Sequence, residues 1–123
     1  MPNSQRNNLL INLISDRPAN IAKALRFGRK FLAAGWKVTL LVNIDGVQLV
    51  NPAADLAPCP VTGEPLPKLL AAYQAEGGEV LVGKECLKLA KMQVDQLPPG
   101  AEVASFPRTE ALMATPDLKI ITW

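Results

Sequence analysis

An α/β sandwich, doubly wound on one sheet of five mostly parallel strands, is the fold this sequence predicts. Three observations point there. Short aliphatic or β-branched runs alternate with stretches whose apolar residues recur at helical spacing. The order helix, glycine stop, apolar run occurs twice, at Gly35-Trp36-Lys37-Val38 and at Gly77-Gly78-Glu79-Val80. The 123 residues, 49% apolar and 20% charged, suffice to bury one core and leave little room for a second, so 1–123 reads as a single α/β domain.

Asn8-Leu9-Leu10-Ile11-Asn12-Leu13-Ile14-Ser15 is a nearly continuous apolar run closed by polar residues, as a strand covered on both faces requires. Asp16-Arg17-Pro18 then offers a turn and a proline suited to the first helical position, where its missing N–H costs nothing. Ile21, Leu25, Gly28 and Leu32 form one row of the helix that follows, Lys23, Arg26, Arg29 and Lys30 fall largely on the other side, and Gly35 caps its end. Lys37–Val42 is β-branched and apolar and completes a strand-helix-strand unit, which implies a parallel pair joined by a right-handed crossover.

Asp45–Val50 reads as a short helix or an extended segment, with the helix favoured. Pro52, Pro58, Pro60, Pro65 and Pro67 mark 51–67 as an irregular surface loop that leaves Cys59 exposed. A helix is expected over Lys68–Glu76, a strand over Glu79–Val82, a turn at Gly83-Lys84-Glu85 and a short helix over Cys86–Met92. Leu97-Pro98-Pro99-Gly100 reads as a turn, Ala101–Ser105 as a short strand, Arg108–Ala114 as the last helix and Leu118–Trp123 as the closing strand.

Composition narrows the chemistry. Histidine is absent, which removes the commonest general base and the usual metal ligand, and two cysteines without C-x-x-C spacing do not make a zinc site, so no metal is expected. No glycine-rich phosphate loop occurs, and no other cofactor is implied. Thirteen basic residues against eleven acidic ones are scattered, Arg26, Arg29 and Lys30 in one place and Lys84, Lys88 and Lys91 in another, which does not indicate nucleic acid. No apolar run reaches membrane-spanning length, and Met1–Asn7 shows no export signal. Cys59 and Cys86 are expected as free thiols.

In open parallel sheets, ligands and catalytic groups collect beyond the carboxyl ends of the strands. Ser15 and Asp16 after the first strand, Asn43 and Asp45 after the second, and Gly83 and Lys84 after the third are the candidate cleft-lining residues. Cys86 is the only strong nucleophile among these segments. Amide dipoles at a helix start, with Lys84 and Lys88 nearby, favour a thiolate there, and Glu85 opposes it. The bland reading of Cys86 is a small buried apolar residue. Cys59 is a candidate second thiol or an incidental loop cysteine, while Asp16 as a helix cap and Asp45-Gly46 as a turn are the ordinary readings of those residues.

The opening strand Leu9–Ser15, the basic helix running into Gly35-Trp36-Lys37-Val38-Thr39-Leu40, the Gly77-Gly78-Glu79-Val80-Leu81-Val82 lead into a cysteine segment, Pro99-Gly100-Ala101-Glu102-Val103 and Asp117–Thr122 follow in an order that resembles the DsrE/DsrF-like family. These are small α/β proteins of sulfur relay and sulfur oxidation. The resemblance implies a three-layer flavodoxin-like sandwich, a cytoplasmic location, assembly into homotrimers or hexamers, and sulfur-donor and sulfur-acceptor proteins as partners. It also implies a cysteine after the third strand that carries sulfane sulfur as a persulfide. Many members place a cysteine directly after that strand. Here Gly83 stands there, and Cys86 matches the second position of the family's C-x-x-C. The competing expectation is a non-enzymatic oligomeric binding or regulatory module of the same fold, and a weaker third is a peroxide-reducing thiol protein.

Overall fold

The computed structural model describes residues 7–123; residues 1–6, part of the stretch read above as free of an export signal, lie outside it. Five strands, β1 (Asn8–Leu13), β2 (Lys37–Val42), β3 (Glu79–Gly83), β4 (Ala101–Ala104) and β5 (Leu118–Thr122), form one sheet in the order β4-β3-β2-β1-β5. Every neighbouring pair is parallel. Four helices intervene: α1 (Pro18–Ala33), α2 (Leu66–Ala75), α3 (Lys84–Leu89) and α4 (Phe106–Met113).

This strand order dictates the layers. From β1 through β4 each crossover moves one place in the same direction, so right-handedness puts α1, α2 and α3 on one face. The step from β4 to β5 returns across the whole sheet and puts α4 on the other face. The core divides accordingly. Leu9, Ile11 and Leu13 of β1 pack with Ile21 and Leu25 of α1, Leu69 and Tyr73 of α2 and Leu87 of α3. The alternate residues Leu10, Leu41 and Leu81 meet Leu112 of α4. The connections leaving β3 and β4 therefore depart to opposite faces, and the crevice this opens at the carboxyl ends of the strands is where small α/β proteins bind ligands.

Sequence and structure part company mainly at element ends. β1 stops at Leu13, two residues before Ser15. The open segment is a 3-10 helix, Ile44–Val50. α2 starts inside the proline-rich stretch, at Leu66, because Pro67 occupies the second helical position, where no N–H is needed. The turn expected at Gly83–Glu85 is missing: β3 runs to Gly83 and α3 begins at Lys84. α4 begins at Phe106, since Ser105 is its N-cap and accepts the Arg108 N–H through its hydroxyl at 3.3 Å.

Tyr73 shows how the first face is held. Its ring is fully buried, its hydroxyl donates to the carbonyl of Glu79 at 2.8 Å and lies 3.3 Å from that of Val38, and burial holds the phenol well above its usual range. Tyr73→Phe is expected to cost ~1 kcal/mol, read as a lower urea midpoint with unchanged slope, because it leaves a buried carbonyl short of its donor.

Candidate functional site

β1, β2 and β3 end in register, Leu13 beside Val42 and Val42 beside Val82, so the residues that follow them share one edge of the sheet. Of the sequence candidates, the structure brings Asn43, Gly83 and Cys86 into contact. Cys86 is the third residue of α3, half-buried, with one flank against the main core. Its Sγ accepts the backbone N–H of Ile44 at 2.9 Å. This contact fixes the sulfur against the end of β2.

The donor is held in an unusual way. Ile44 has φ of +52°, a conformation that a β-branched residue adopts only when its surroundings impose it. The constraint is visible on both sides. Asn43 donates its N–H to the Leu13 carbonyl at 2.9 Å, and the Gly46 N–H returns to the Asn43 carbonyl at 2.8 Å. The Asn43 side-chain amide also donates to Asn12 Oδ1 at 3.0 Å, tying the β2 end to β1.

Gly83 makes this packing feasible. Its φ of −60° is open to any residue, so the requirement is space: a Cβ there would run into Asn43 Oδ1 and lie 3.3 Å from Cys86 Sγ. Gly83→Ala is expected to cost ~1–2 kcal/mol as Asn43 is pushed off Asn12. Cys86 should then alkylate at a rate several-fold different from wild type, as thiol-labelling kinetics would record; equal rates would contradict the described contact.

The other candidates sit apart from the sulfur's contacts. Asp16, Asp45 and Lys84 are exposed, and the Ser15 hydroxyl accepts the Arg17 N–H at 3.0 Å within the turn into α1. The N-cap of α1 is Arg17, so Asp16 does not cap the helix. Among the described residues, no group of three His, Cys, Asp or Glu side chains is placed to hold a metal ion.

Cys59 requires a correction: it is buried, with 1% of its surface exposed. The proline-rich segment folds back on itself, the Cys59 N–H to the Glu64 carbonyl at 2.9 Å and the Gly63 N–H to the Cys59 carbonyl at 2.8 Å, and this turns the thiol inward. Hydrogen bonds from the Thr62 side chain and from the backbone of Thr62 and Val61 pull its pKa from 9 down to about 7, helped by the Arg26 guanidinium, whose Nη1 lies 3.7 Å from the sulfur. The folded value lies below the unfolded one, so the stabilisation is full above pH 9 and is lost as pH falls through 7. Wild type is expected to gain stability over Cys59→Ser as pH rises across that window. Paired thermal melts check this, and a pH-independent difference would refute it.

Two contributors escape sequence reading. Asn12 is the one polar side chain inside an aliphatic run, a signal visible in hindsight; Ile44 acts through its backbone, which no side chain announces.

A family model described as the DsrE/DsrF-like family matches residues 9–122. No curated protein matches the chain. Two similar solved structures are the ychN protein of E. coli, with a TM-score of 0.74 at 14% identity, and MTH1491 of Methanobacterium thermoautotrophicum, a protein of unknown function, at 0.72 and 12%. The alignments cover 95% of this chain and 98% and 99% of those. At such identities they show the shared fold. No helix among the described residues is long and apolar enough to cross a membrane.

Proposed function

The chain belongs to the DsrE/DsrF-like family, and on that premise we propose that it is a sulfur carrier that holds sulfane sulfur as a persulfide on Cys86 and yields it to a protein thiol. The observation that supports this most is the N–H of Ile44 aimed at Cys86 Sγ at the carboxyl edge of the sheet. In the exchange, the Cys86 thiolate attacks the outer sulfur of a donor persulfide; the Cys86–sulfur bond forms as the donor's S–S bond breaks, and the donor leaves as a thiolate. Attack by an acceptor thiolate on the outer sulfur of Cys86-S-SH repeats the step and restores Cys86. Neither step calls for a histidine or a bound cofactor.

The same reading places the protein in the cytoplasm as a homotrimer or hexamer that meets donor and acceptor proteins. Ser15, Asp16, Asp45 and Lys84 would line the approach to the sulfur, with Asn43 and Gly83 setting its position. Cys59, enclosed by its own loop, is left to structure. Incubation with a small persulfide donor should add the mass of one sulfur atom, mapped by peptide analysis to Cys86. The half-burial of Cys86 favours one rival, a binding module without thiol chemistry, which predicts slow alkylation of Cys86 and no mass gain.

A further inference from the structure

We infer that a second site, beneath α4 at the edge of the sheet opposite Cys86, binds a small zwitterionic amino acid. On the face that α4 covers, Asn8 lies in register with Lys37, Leu10 with Thr39 and Glu79, and Asn12 with Leu41 and Leu81, so the polar side chains gather toward the amino ends of the strands. Leu112 of α4 packs on Leu10, Leu41 and Leu81, and a cavity of about 190 Å³ lies beside it, lined by Asn8, Lys37, Thr39, Glu79 and Arg108.

The cavity is open to solvent on the side of the exposed Lys37 and Ala111. Its floor is polar and buried: Asn8 and Thr39 are 3% and 2% exposed, and the Asn8 side-chain amide donates to the Pro116 carbonyl at 3.0 Å.

The charges of the lining select the ligand. Thr39 Oγ1 and Arg108 Nη2 both donate to Glu79 Oε1, at 3.2 and 3.3 Å, and Arg108 reaches Glu102 with its Nε at 3.4 Å. Lys37 lines the same cavity and has no ion-pair partner among the described residues. The Glu79–Arg108 pair offsets its own charges, which leaves Lys37 as the positive group for a carboxylate and Glu79 as the acceptor for an ammonium. A ligand carrying both signs suits both, its carboxylate toward Lys37 and its ammonium toward Glu79 Oε2. Leu112 and Leu118 offer an apolar wall for a short side chain.

NMR titration of the full chain with glycine, L-alanine and L-serine tests this. Millimolar amino acid should shift the amides of Thr39, Glu79 and Arg108, while acetate and ethylamine, each carrying half the ligand's charge, should bind at least about tenfold more weakly. Lys37→Gln alters an exposed side chain and should weaken alanine about tenfold, with the melting temperature unchanged. Thr39→Val should weaken it as well through loss of the hydroxyl. Absence of shifts with all three amino acids, acetate binding as well as alanine, or an unaffected Lys37→Gln would overturn the assignment.

Discussion

Gly46→Ala is expected to unfold the protein or to destabilise it by at least ~3 kcal/mol. Gly46 is buried in the 3-10 helix that follows β2, and a Cβ there would be driven into the carbonyl carbon and oxygen of Leu13. Those atoms belong to the backbone of β1, whose Leu13 carbonyl also receives the Asn43 N–H, so no side-chain rotation relieves the overlap. The strand end or the 3-10 helix must move. Either movement shifts Ile44, so any folded remainder should also show altered Cys86 labelling. Chemical denaturation measures the loss, and a stability within ~0.5 kcal/mol of wild type would refute the packing described.

Cys86→Ser is expected to abolish sulfur loading while leaving the fold nearly untouched. Cys86 is half-buried at the margin of the core, and a serine hydroxyl can still accept the Ile44 N–H, so the stability change should stay within ~1 kcal/mol. A hydroxyl cannot hold a sulfane sulfur under these conditions, so the loss of loading is complete. Cys59→Ser should behave in the opposite way. It exchanges a sulfur enclosed by Thr62, Val61 and Arg26, and should change stability and its pH dependence while sulfur still loads on Cys86. Mass spectrometry and melting curves on the two variants separate the thiols by role.

Much of this architecture is legible in the amino-acid order because it follows from periodicity. The aliphatic run around Ile11, the amphipathic face of Ile21 and Leu25, and the β-branched Lys37–Val42 each admit one regular structure, and their alternation leads to the parallel sheet found. Boundaries were less legible, since Pro67 and Ser105 act at helix starts rather than as breaks. Cys59 shows the limit of composition: flanking prolines say that the segment is irregular, but only the Glu64 and Gly63 hydrogen bonds turn its sulfur inward. The neighbourhood of Cys86 follows from strand order, yet the left-handed Ile44 and the space that Gly83 leaves for Asn43 depend on contacts between residues forty apart in the chain.

Mass spectrometry of the protein purified without reductant from cells supplied with sulfane sulfur puts the carrier proposal to its most direct test. A fraction of the molecules heavier by one sulfur atom, with the addition on the peptide that contains Cys86 and removable by a thiol, is the expected result. An unmodified Cys86, or sulfur found on Cys59 instead, would contradict it.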